Sequence, residues 1–341
     1  KIGNSLFTEY SDDIYEIKLS GTTATVSMVS LSGIDESLNI YLDRMTSIEN
    51  SLYFTGSISG NNSAIRPVFS VSLGEDADGN TTGTLTQINP KVTAAAFFNT
   101  GLEIRLNSVY SVTSSGTSIY LADNSNGIIR EIDISTTEIT TLAGKVRNFS
   151  DGTGEDAEFY SIDKILQVGT DIYVSDNYRF RVVDTGTGAV TTLKTSGVSY
   201  NSINYWASDG TDIYFSSYYY DSSSSSSLYK IYKLSTADGI ISELDLVNAN
   251  GDSYVISSSN YIRGLASDGT DLYITTGYSN SLKFSRISLT TAGDGTNTVT
   301  DYTTAGISLS YPNGLEKIGN SLFTEYSDDI YEIKLSGTTA T

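Results

Sequence analysis

The residues with the clearest chemical potential in this sequence are the acids and amides of a short loop at 74–83, GEDADGNTTG. Asp76, Asp78 and Asn80 alternate along it, and oxygen ligands at alternate positions are typical of calcium-binding loops. The loop does not continue into the later glycine and distal bidentate glutamate of an EF-hand. An acidic hairpin turn is therefore the favoured interpretation, with a calcium site at these three residues as the alternative. No other cofactor is expected.

A second group of chemically useful side chains lies in SSYYYDSSSSSS, residues 216–227. Tyr218, Tyr219 and Tyr220 could stack on a sugar ring or on the surface of a partner protein, because aromatic faces suit both. The favoured interpretation is a solvated serine-rich loop with the tyrosines resting against the strands beside it. Ligand or partner contact by these tyrosines is the alternative.

Composition argues against several function classes. The chain has no histidine and no cysteine, so the commonest general base, the commonest transition-metal ligand and all thiolate chemistry are missing. Paired acids remain possible catalytic groups, as at Asp12 and Asp13 or Glu155 and Asp156, but loop acids at this charge density are mostly solvated surface residues. A net charge of −20 repels phosphate backbones, so a nucleic-acid partner is not expected. The sequence has no apolar run long enough to span a membrane. Because histidine and cysteine are missing, we do not expect an enzyme.

The elements that position these residues are indicated by a recurring landmark, a turn followed by an apolar, aromatic, apolar strand. Its occurrences are NSLFTEYS (4–11), NSLYFTGS (50–57), TSIYLADN (117–124), TDIYVSDN (170–177), TDIYFSSY (211–218), TDLYITTG (270–277) and NSLFTEYS again (320–327). Six units therefore precede the return of the first one. The predicted unit boundaries are 1–31, 42–89, 108–145, 162–195, 202–247 and 261–305, with 312–341 repeating the first unit.

The third unit shows the predicted content of each repeat. It reads as four strands, SVYSVTSS (108–115), SIYLAD (118–123), GIIREIDIS (127–135) and EITTLAG (138–144). The second strand is apolar at successive positions and should be buried on both faces, whereas the third alternates and should be less buried. Four-stranded antiparallel repeats of this length are typical of propeller blades. The predicted fold is therefore all-β, a single six-bladed β-propeller over 1–341 whose ends overlap at the closing blade.

The segment 117–195 resembles a known repeat family. IIREIDISTTEITTLAGK (128–145), SDGTGEDAEFYSIDKI (150–165), TDIYVSDN (170–177) and FRVVDTGTGAVTTLKT (180–195) are similar to the NHL-type repeats of bacterial β-propeller proteins. The resemblance is looser in the fifth and sixth units, and the first two keep mainly the strand pattern. It implies a propeller but no activity, because such propellers host many functions.

The motif NYWASDG in the fifth unit aligns with RGLASDG in the sixth. Trp206, the only tryptophan, therefore corresponds to Leu265 and should pack in the core. Tyr205 would then point to the other side of the strand, where it could line a central channel and contact a ligand. The apolar segment AAAFFN (94–99) is expected to form a short helix over one face, with a docking surface as the alternative.

The most unusual feature is that residues 1–25, KIGNSLFTEYSDDIYEIKLSGTTAT, return unchanged as residues 317–341. Three explanations are open: the chain is one window on a long polypeptide of repeated modules, the second copy exchanges with a neighbouring molecule, or the overlap was introduced artificially. The first two share neighbouring copies of the same module as partners.

These observations lead to three hypotheses of function. We expect a non-enzymatic structural and adhesive module at a bacterial cell surface, a repeating unit of a long surface protein or filament that contacts its own copies and surface glycans or proteins. The alternative is a stand-alone, lectin-like propeller that binds its ligand through the tyrosines. A propeller enzyme comes third because the chain lacks histidine and cysteine.

Overall fold

A computed structural model describes most of this chain. The residues outside its description are 1–4, 11–12, 21–22, 33–39, 49–50, 59–67, 76, 78–80, 89–90, 93–105, 107–108, 137, 146–147, 223–225, 258–260, 278–282, 291–292, 294, 305–312, 319–320, 327–328, 337–338 and 341. The described residues form β-strands and two 3₁₀ turns, Asn124–Asn126 and Gly154–Asp156, with no α-helix among them. They belong to two compact units, Lys1–Leu193 and Lys194–Thr341.

The first unit begins with a seven-stranded sheet. Its strands are β1 (Ser5–Tyr10), β2 (Asp13–Ser20), β3 (Thr23–Ser32), β4 (Ile40–Ile48), β5 (Ser51–Ile58), β6 (Val68–Glu75) and β7 (Thr81–Ile88). They lie in the order β1-β2-β3-β7-β6-β5-β4. Two antiparallel groups therefore meet at β3 and β7, where Ser30–Ser32 runs parallel to Thr82–Thr84.

Two five-stranded sheets complete the first unit. Their strands are β8 (Lys91–Val92), β9 (Val109–Ser115), β10 (Ser118–Asp123), β11 (Ile128–Asp133), β12 (Glu138–Gly144), β13 (Gly152–Thr153), β14 (Ile162–Val168), β15 (Asp171–Asp176), β16 (Arg179–Asp184) and β17 (Ala189–Thr192). Their orders are β8-β12-β11-β10-β9 and β13-β17-β16-β15-β14. The segments that the sequence predicts as strands of the third repeat lie at β9 to β12, in a sheet of five strands.

The second unit holds a six-stranded and a nine-stranded sheet. The first contains β18 (Ser196–Gly197), β19 (Trp206–Ser208), β20 (Ile213–Asp221), β21 (Ser226–Leu234), β22 (Ile240–Glu243) and β24 (Ile256–Ser257). The second contains β23 (Leu246–Val247), β25 (Ile262–Ser267), β26 (Asp271–Thr276), β27 (Lys283–Ser288), β28 (Asn297–Thr304), β29 (Asn313–Ile318), β30 (Ser321–Tyr326), β31 (Asp329–Ser336) and β32 (Thr339–Ala340). Its main path runs β25-β26-β27-β28-β32-β31-β30-β29.

Burial follows the predicted pattern in the landmark strands β10, β15 and β26, which lie inside their sheets. Every residue of β10 is buried, as are all residues of β15 and β26 after the first. The following strand is less buried, with residues of intermediate exposure in β11 and exposed ends in β16. One hydrophobic cluster of the first unit packs Tyr120 of β10 with Ile172 and Val174 of β15.

In the fifth and sixth repeats, the turn before the landmark strand is held by an aspartate. In the fifth repeat, Asp209 Oδ1 accepts hydrogen bonds from the backbone N–H groups of Thr211 and Asp212, and Tyr214 donates its hydroxyl to Asp209 Oδ2 at 2.9 Å. Asp268 and Tyr273 repeat this arrangement in the sixth. In SDGTDIY and SDGTDLY, the first aspartate therefore has a structural role in the turn. Its carboxylate supplies the hydrogen-bond acceptors that the backbone N–H groups of the turn otherwise lack.

Successive groups of strands are joined in a recurrent way. The chain that leaves one group adds a short parallel pairing to the outer strand of the next. This pairing occurs between β3 and β7, β8 and β12, β18 and β22, β23 and β28, and β28 and β32. The first strands also lie side by side, β4 with β9 and β9 with β14 in one unit, β19 with β25 and β25 with β29 in the other.

The two copies of the repeated segment adopt the same strands. Ser5–Tyr10 corresponds to Ser321–Tyr326 and Asp13–Ser20 to Asp329–Ser336, with Ser5 paired to Lys18 as Ser321 is paired to Lys334. The neighbouring strands differ between the copies. The second copy follows and continues β29, whereas the outer strand of the first copy, β3, extends to Ser32.

Candidate functional site

The candidate site is a long hairpin in the second unit, formed by β20 and β21. Its register pairs Tyr218 with Tyr229, Tyr219 with Leu228 and Tyr220 with Ser227. The neighbouring strand β19 pairs only with Ile213–Phe215, so the tyrosine end of the hairpin continues past it. The short strand β24 instead pairs with Leu228 and Tyr229 on the other side.

One face of this hairpin carries a tyrosine cluster, which we define as Tyr218, Tyr229 and Tyr261. The ring centroids of Tyr218 and Tyr229 lie 5.6 Å apart and those of Tyr229 and Tyr261 lie 6.0 Å apart, both edge to face. Tyr229 is buried at the centre, whereas Tyr218 and Tyr261 are 38% and 36% exposed. Edge-to-face contacts fix the ring planes, so the outer rings form a partly pre-ordered aromatic surface.

Charge beside the cluster is positive. The guanidinium carbon of Arg263 lies 5.1 Å from the centroid of Tyr261. Burial raises the pKa of Tyr229, and the neighbouring Tyr261 adds to the shift while Arg263 opposes it. The phenol of Tyr229 is therefore neutral at physiological pH. An aromatic surface with an arginine at its border can contact the apolar face and the hydroxyl groups of a sugar ring, or a protein surface.

The opposite face of the hairpin carries Tyr219. The ammonium of Lys230 lies 4.6 Å from its ring centroid and 2.6 Å from Glu243 Oε2. Burial disfavours the charged lysine, but the hydrogen bond and charge of Glu243 outweigh that effect and raise the pKa of Lys230. The ring of Tyr219 is thus in contact with Lys230, whereas Tyr220 is 59% exposed near the tip of the hairpin.

The other residues predicted upstream lie at the base of this region. Tyr205 is partly buried against a hydrophobic cluster that includes Leu265, and burial raises the pKa of its phenol. Trp206 is also partly buried, whereas the equivalent Leu265 is fully within that cluster. Of the four predicted contact residues, Tyr218 and Tyr220 are the exposed ones.

The predicted calcium loop and the predicted apolar segment are not part of this hairpin. Asp76, Asp78 and Asn80 lie outside the described residues, as does AAAFFN at 94–99. Within the described ranges, no three Asp, Glu, His or Cys side chains are grouped as a metal site would require. No helix in the same ranges is long and apolar enough to cross a membrane.

A buried ion cluster in the first unit was not anticipated from the sequence. Arg181 donates from Nη1 to Asp176 Oδ2 at 2.9 Å and to the carbonyl oxygen of Glu158 at 3.1 Å. It donates from Nη2 to Asp151 Oδ1 at 2.9 Å and to the carbonyl oxygen of Ser150 at 2.8 Å. The guanidinium therefore fastens the segment 150–158 to the sheet, which is a structural role.

Hairpin geometry explains this contact. Asn177 and Tyr178 both have positive φ, 54° and 83°, and form the two-residue turn that pairs Asp176 with Arg179. Arg181 is two residues further along β16 and thus diagonally opposite Asp176 on the same face. In the preceding repeat, Asp123 and Arg130 occupy the same diagonal positions across a longer turn, with Arg130 Nε 4.0 Å from Asp123 Oδ2. An aspartate ending one strand and an arginine within the next were the available sequence signal.

Comparisons with known proteins define the fold only. No protein-family model matches the chain, and no curated protein matches it in sequence. A Bacteroides fragilis protein with a provisional 6-phosphogluconolactonase assignment is 16% identical with a TM-score of 0.54, over 100% of this chain and 92% of its own. Hydrazine synthase from Kuenenia stuttgartiensis is also 16% identical, with a TM-score of 0.50 over 89% of this chain and 79% of its own.

A third similar structure is the GH74 enzyme from Niastella koreensis, 12% identical with a TM-score of 0.51. This chain aligns over 98% of its length but spans only 52% of that enzyme. At these identities the likeness concerns the fold alone. The chain is nearly all-β, with several antiparallel sheets, and its fold is that of β-propeller-like proteins.

Proposed function

We propose that this chain is a non-enzymatic structural and adhesive module, a repeating unit of a long protein or filament at a bacterial cell surface. In this proposal the chain forms a six-bladed ring of four-stranded, NHL-like blades, and the repeated segment belongs to the closing blade. Its partners are neighbouring copies of the same module, together with surface glycans or proteins.

The observation that carries this proposal is the behaviour of the two identical segments. Both form the same strands in the same register, and the second copy joins β28 through the type of parallel pairing that joins other successive groups. Recurrence of one segment as the same strands in the same register is what we expect of a chain of repeated modules. Closed rings also leave few sheet edges exposed, which favours separate rigid modules over aggregation.

The side-chain inventory supports a structural rather than a catalytic role. The best-formed charged cluster, around Arg181, is committed to holding a loop on a sheet. The landmark aspartates Asp209 and Asp268 are committed to turns. The sequence contains no histidine or cysteine that could act as a general base or nucleophile.

Labelling of intact cells tests the surface location. An antibody raised against residues 1–341 should stain unpermeabilised cells of the source organism, and brief external protease treatment should remove the stain. Staining that appears only after permeabilisation would contradict the proposal.

A lectin-like binding propeller is the second candidate, and the exposed tyrosines of the hairpin favour it. Tyr218→Ala and Tyr220→Ala should each lower binding on a glycan array by about tenfold, since one stacked aromatic contributes about 1–3 kcal/mol by analogy with base stacking. Tyr110→Ala, which removes a 51% exposed tyrosine of the first unit, is the matched control. A wild-type protein that binds no glycan on the array would remove this candidate.

A further inference from the structure

The edge of β28 is occupied by the second copy of the repeated segment. Thr303 pairs with Thr339 and Thr304 with Ala340, in parallel. Around this contact, β29 lies beside β25, and β30 pairs with β29 from Ser321 to Glu325. Among the described residues, β30 to β32 are therefore held by this short edge pairing and by β29, whose last two residues, Lys317 and Ile318, begin the second copy.

The first copy contains the edge that corresponds to this contact, at Thr23–Ala24. Thr23 and Ala24 are the same residues as Thr339 and Ala340, and they pair with Ser20 and Leu19 of β2 on one side. On the other side, β7 pairs only with Ser30–Ser32. In the described part of the chain, the edge of Thr23–Ala24 that corresponds to the β28-binding edge has no paired strand.

We propose that the β28 edge at Thr303–Thr304 is a docking site for the first copy of the repeated segment from another molecule of this chain. The occupant is β1 to β3 of a second molecule, which takes the place of β30 to β32. The proposal rests on the blade arrangement given under the proposed function, and it names the contact by which copies of the module associate.

The two copies are identical in sequence, so this exchange of strands replaces each residue by the same residue. Every residue of β30 to β32 has the same residue at the equivalent position of β1 to β3, so the incoming strands can remake each backbone hydrogen bond that is lost. Strand β29 can stay beside β25 and pair with the incoming β1, because the residues it contacts in β30 recur there. Exchange of an identical element is a low-cost route to association.

The exchanged contact is directional. The edge of Thr303–Thr304 on one molecule meets Thr23–Ala24 on the next, so the first molecule can still offer its own Thr23–Ala24 and the next its own Thr303–Thr304 to further copies. Such heterologous contacts extend head to tail unless their rotation closes a ring. The tethered second copy competes with the incoming one at an effective concentration of roughly millimolar, so exchange depends on protein concentration.

Disulfide trapping tests the docking site, and the natural chain contains no cysteine to interfere. One full-length chain carries Thr23→Cys and another carries Thr303→Cys, with different affinity tags. On mixing under mild oxidation, we expect a covalent heterodimer whose fraction rises about tenfold between about 10 and about 100 µM, because both concentrations lie below the effective concentration of the tethered copy. Neither chain can form an intramolecular disulfide.

The matched control replaces Thr303→Cys by Thr191→Cys, an exposed threonine on the outer strand β17. A heterodimer yield no greater than that of this control would overturn the proposal. The single chain with Thr303→Cys and Thr339→Cys separates this outcome from a wrong blade arrangement. If it forms its intramolecular disulfide while the mixture does not cross-link, the exchange is wrong and the proposed module stands.

Discussion

Replacing Arg181 with methionine should destabilise the first unit strongly. The arginine side chain is 1% exposed and that of Asp176 is 0% exposed, so the substitution leaves a carboxylate buried without its counter-charge. Asp176 would keep the backbone N–H donors of Tyr160 and Ser161 but lose the positive charge that pairs with it in this cluster. Two backbone carbonyl oxygens would also lose a donor.

The expected loss of stability follows from the burial of the ion pair that the substitution breaks. Removing one partner of a buried ion pair costs about 3–5 kcal/mol, mainly because the other charge is left in a poor solvent. Hydrogen–deuterium exchange of the backbone amides in β16 should measure this loss of stability, because these amides exchange when the surrounding sheets open. We expect their exchange to accelerate about 100-fold or more, at about 1.4 kcal/mol per tenfold.

Two control variants test whether the loss of stability comes from the unpaired charge of Asp176. Asp151→Asn removes the partner that is 51% exposed, so its cost should stay within about 1 kcal/mol. Asp176→Asn added to Arg181→Met removes the unpaired charge and should restore part of the stability. Burial already raises the pKa of Asp176, so the loss in Arg181→Met should also shrink as the pH falls and this carboxyl protonates. An Arg181→Met protein as stable as Asp151→Asn would refute the account of this cluster.

Two further predictions concern the second unit. Gly197→Ala should weaken the β18–β22 pairing by about 1–3 kcal/mol, because φ is +99° and the new Cβ would collide with the carbonyl oxygen of Ile241. Urea denaturation followed by the fluorescence of the single tryptophan should show a larger loss of stability than for Gly210→Ala, where φ is +93° but nothing lies within 4 Å of the added Cβ. Burial raises the pKa of Tyr200 and of Tyr254 to about 12, so stability should fall as the pH rises from about 10, where the unfolded phenols ionise, to about 12. Ultraviolet titration should show late-ionising tyrosines, and Tyr254→Phe should remove one of them; a single titration near pH 10 would contradict this.

Much of the local fold could be predicted from the sequence because burial leaves a clear pattern in β-strands. The continuous apolar run SIYLAD identifies β10, and the alternation in GIIREIDIS identifies β11, whose bounds the structure gives as Ile128–Asp133. The identical copies predicted the same strand order at both places. Local patterning was sufficient in these cases because each strand contacts its sequence neighbour.

The features that could not be predicted depend on contacts distant in sequence. The pairing of Arg181 with Asp151 joins residues separated by a hairpin and a loop, and no periodicity in the sequence indicates it. The parallel pairing of Thr303–Thr304 with Thr339–Ala340 involves residues that any surface strand could contain. The surface formed by Tyr218 and Tyr261 likewise needed the register of β20 and β21 and the position of β24.

The mass of the natural polypeptide tests the central claim most directly. Denaturing electrophoresis of whole cells, probed with an antibody to residues 1–341, should show a product far larger than the 36.7 kDa of this chain, because the proposed protein repeats the module. Limited proteolysis should then release fragments that differ by about one module. A single product at 36.7 kDa would contradict the claim.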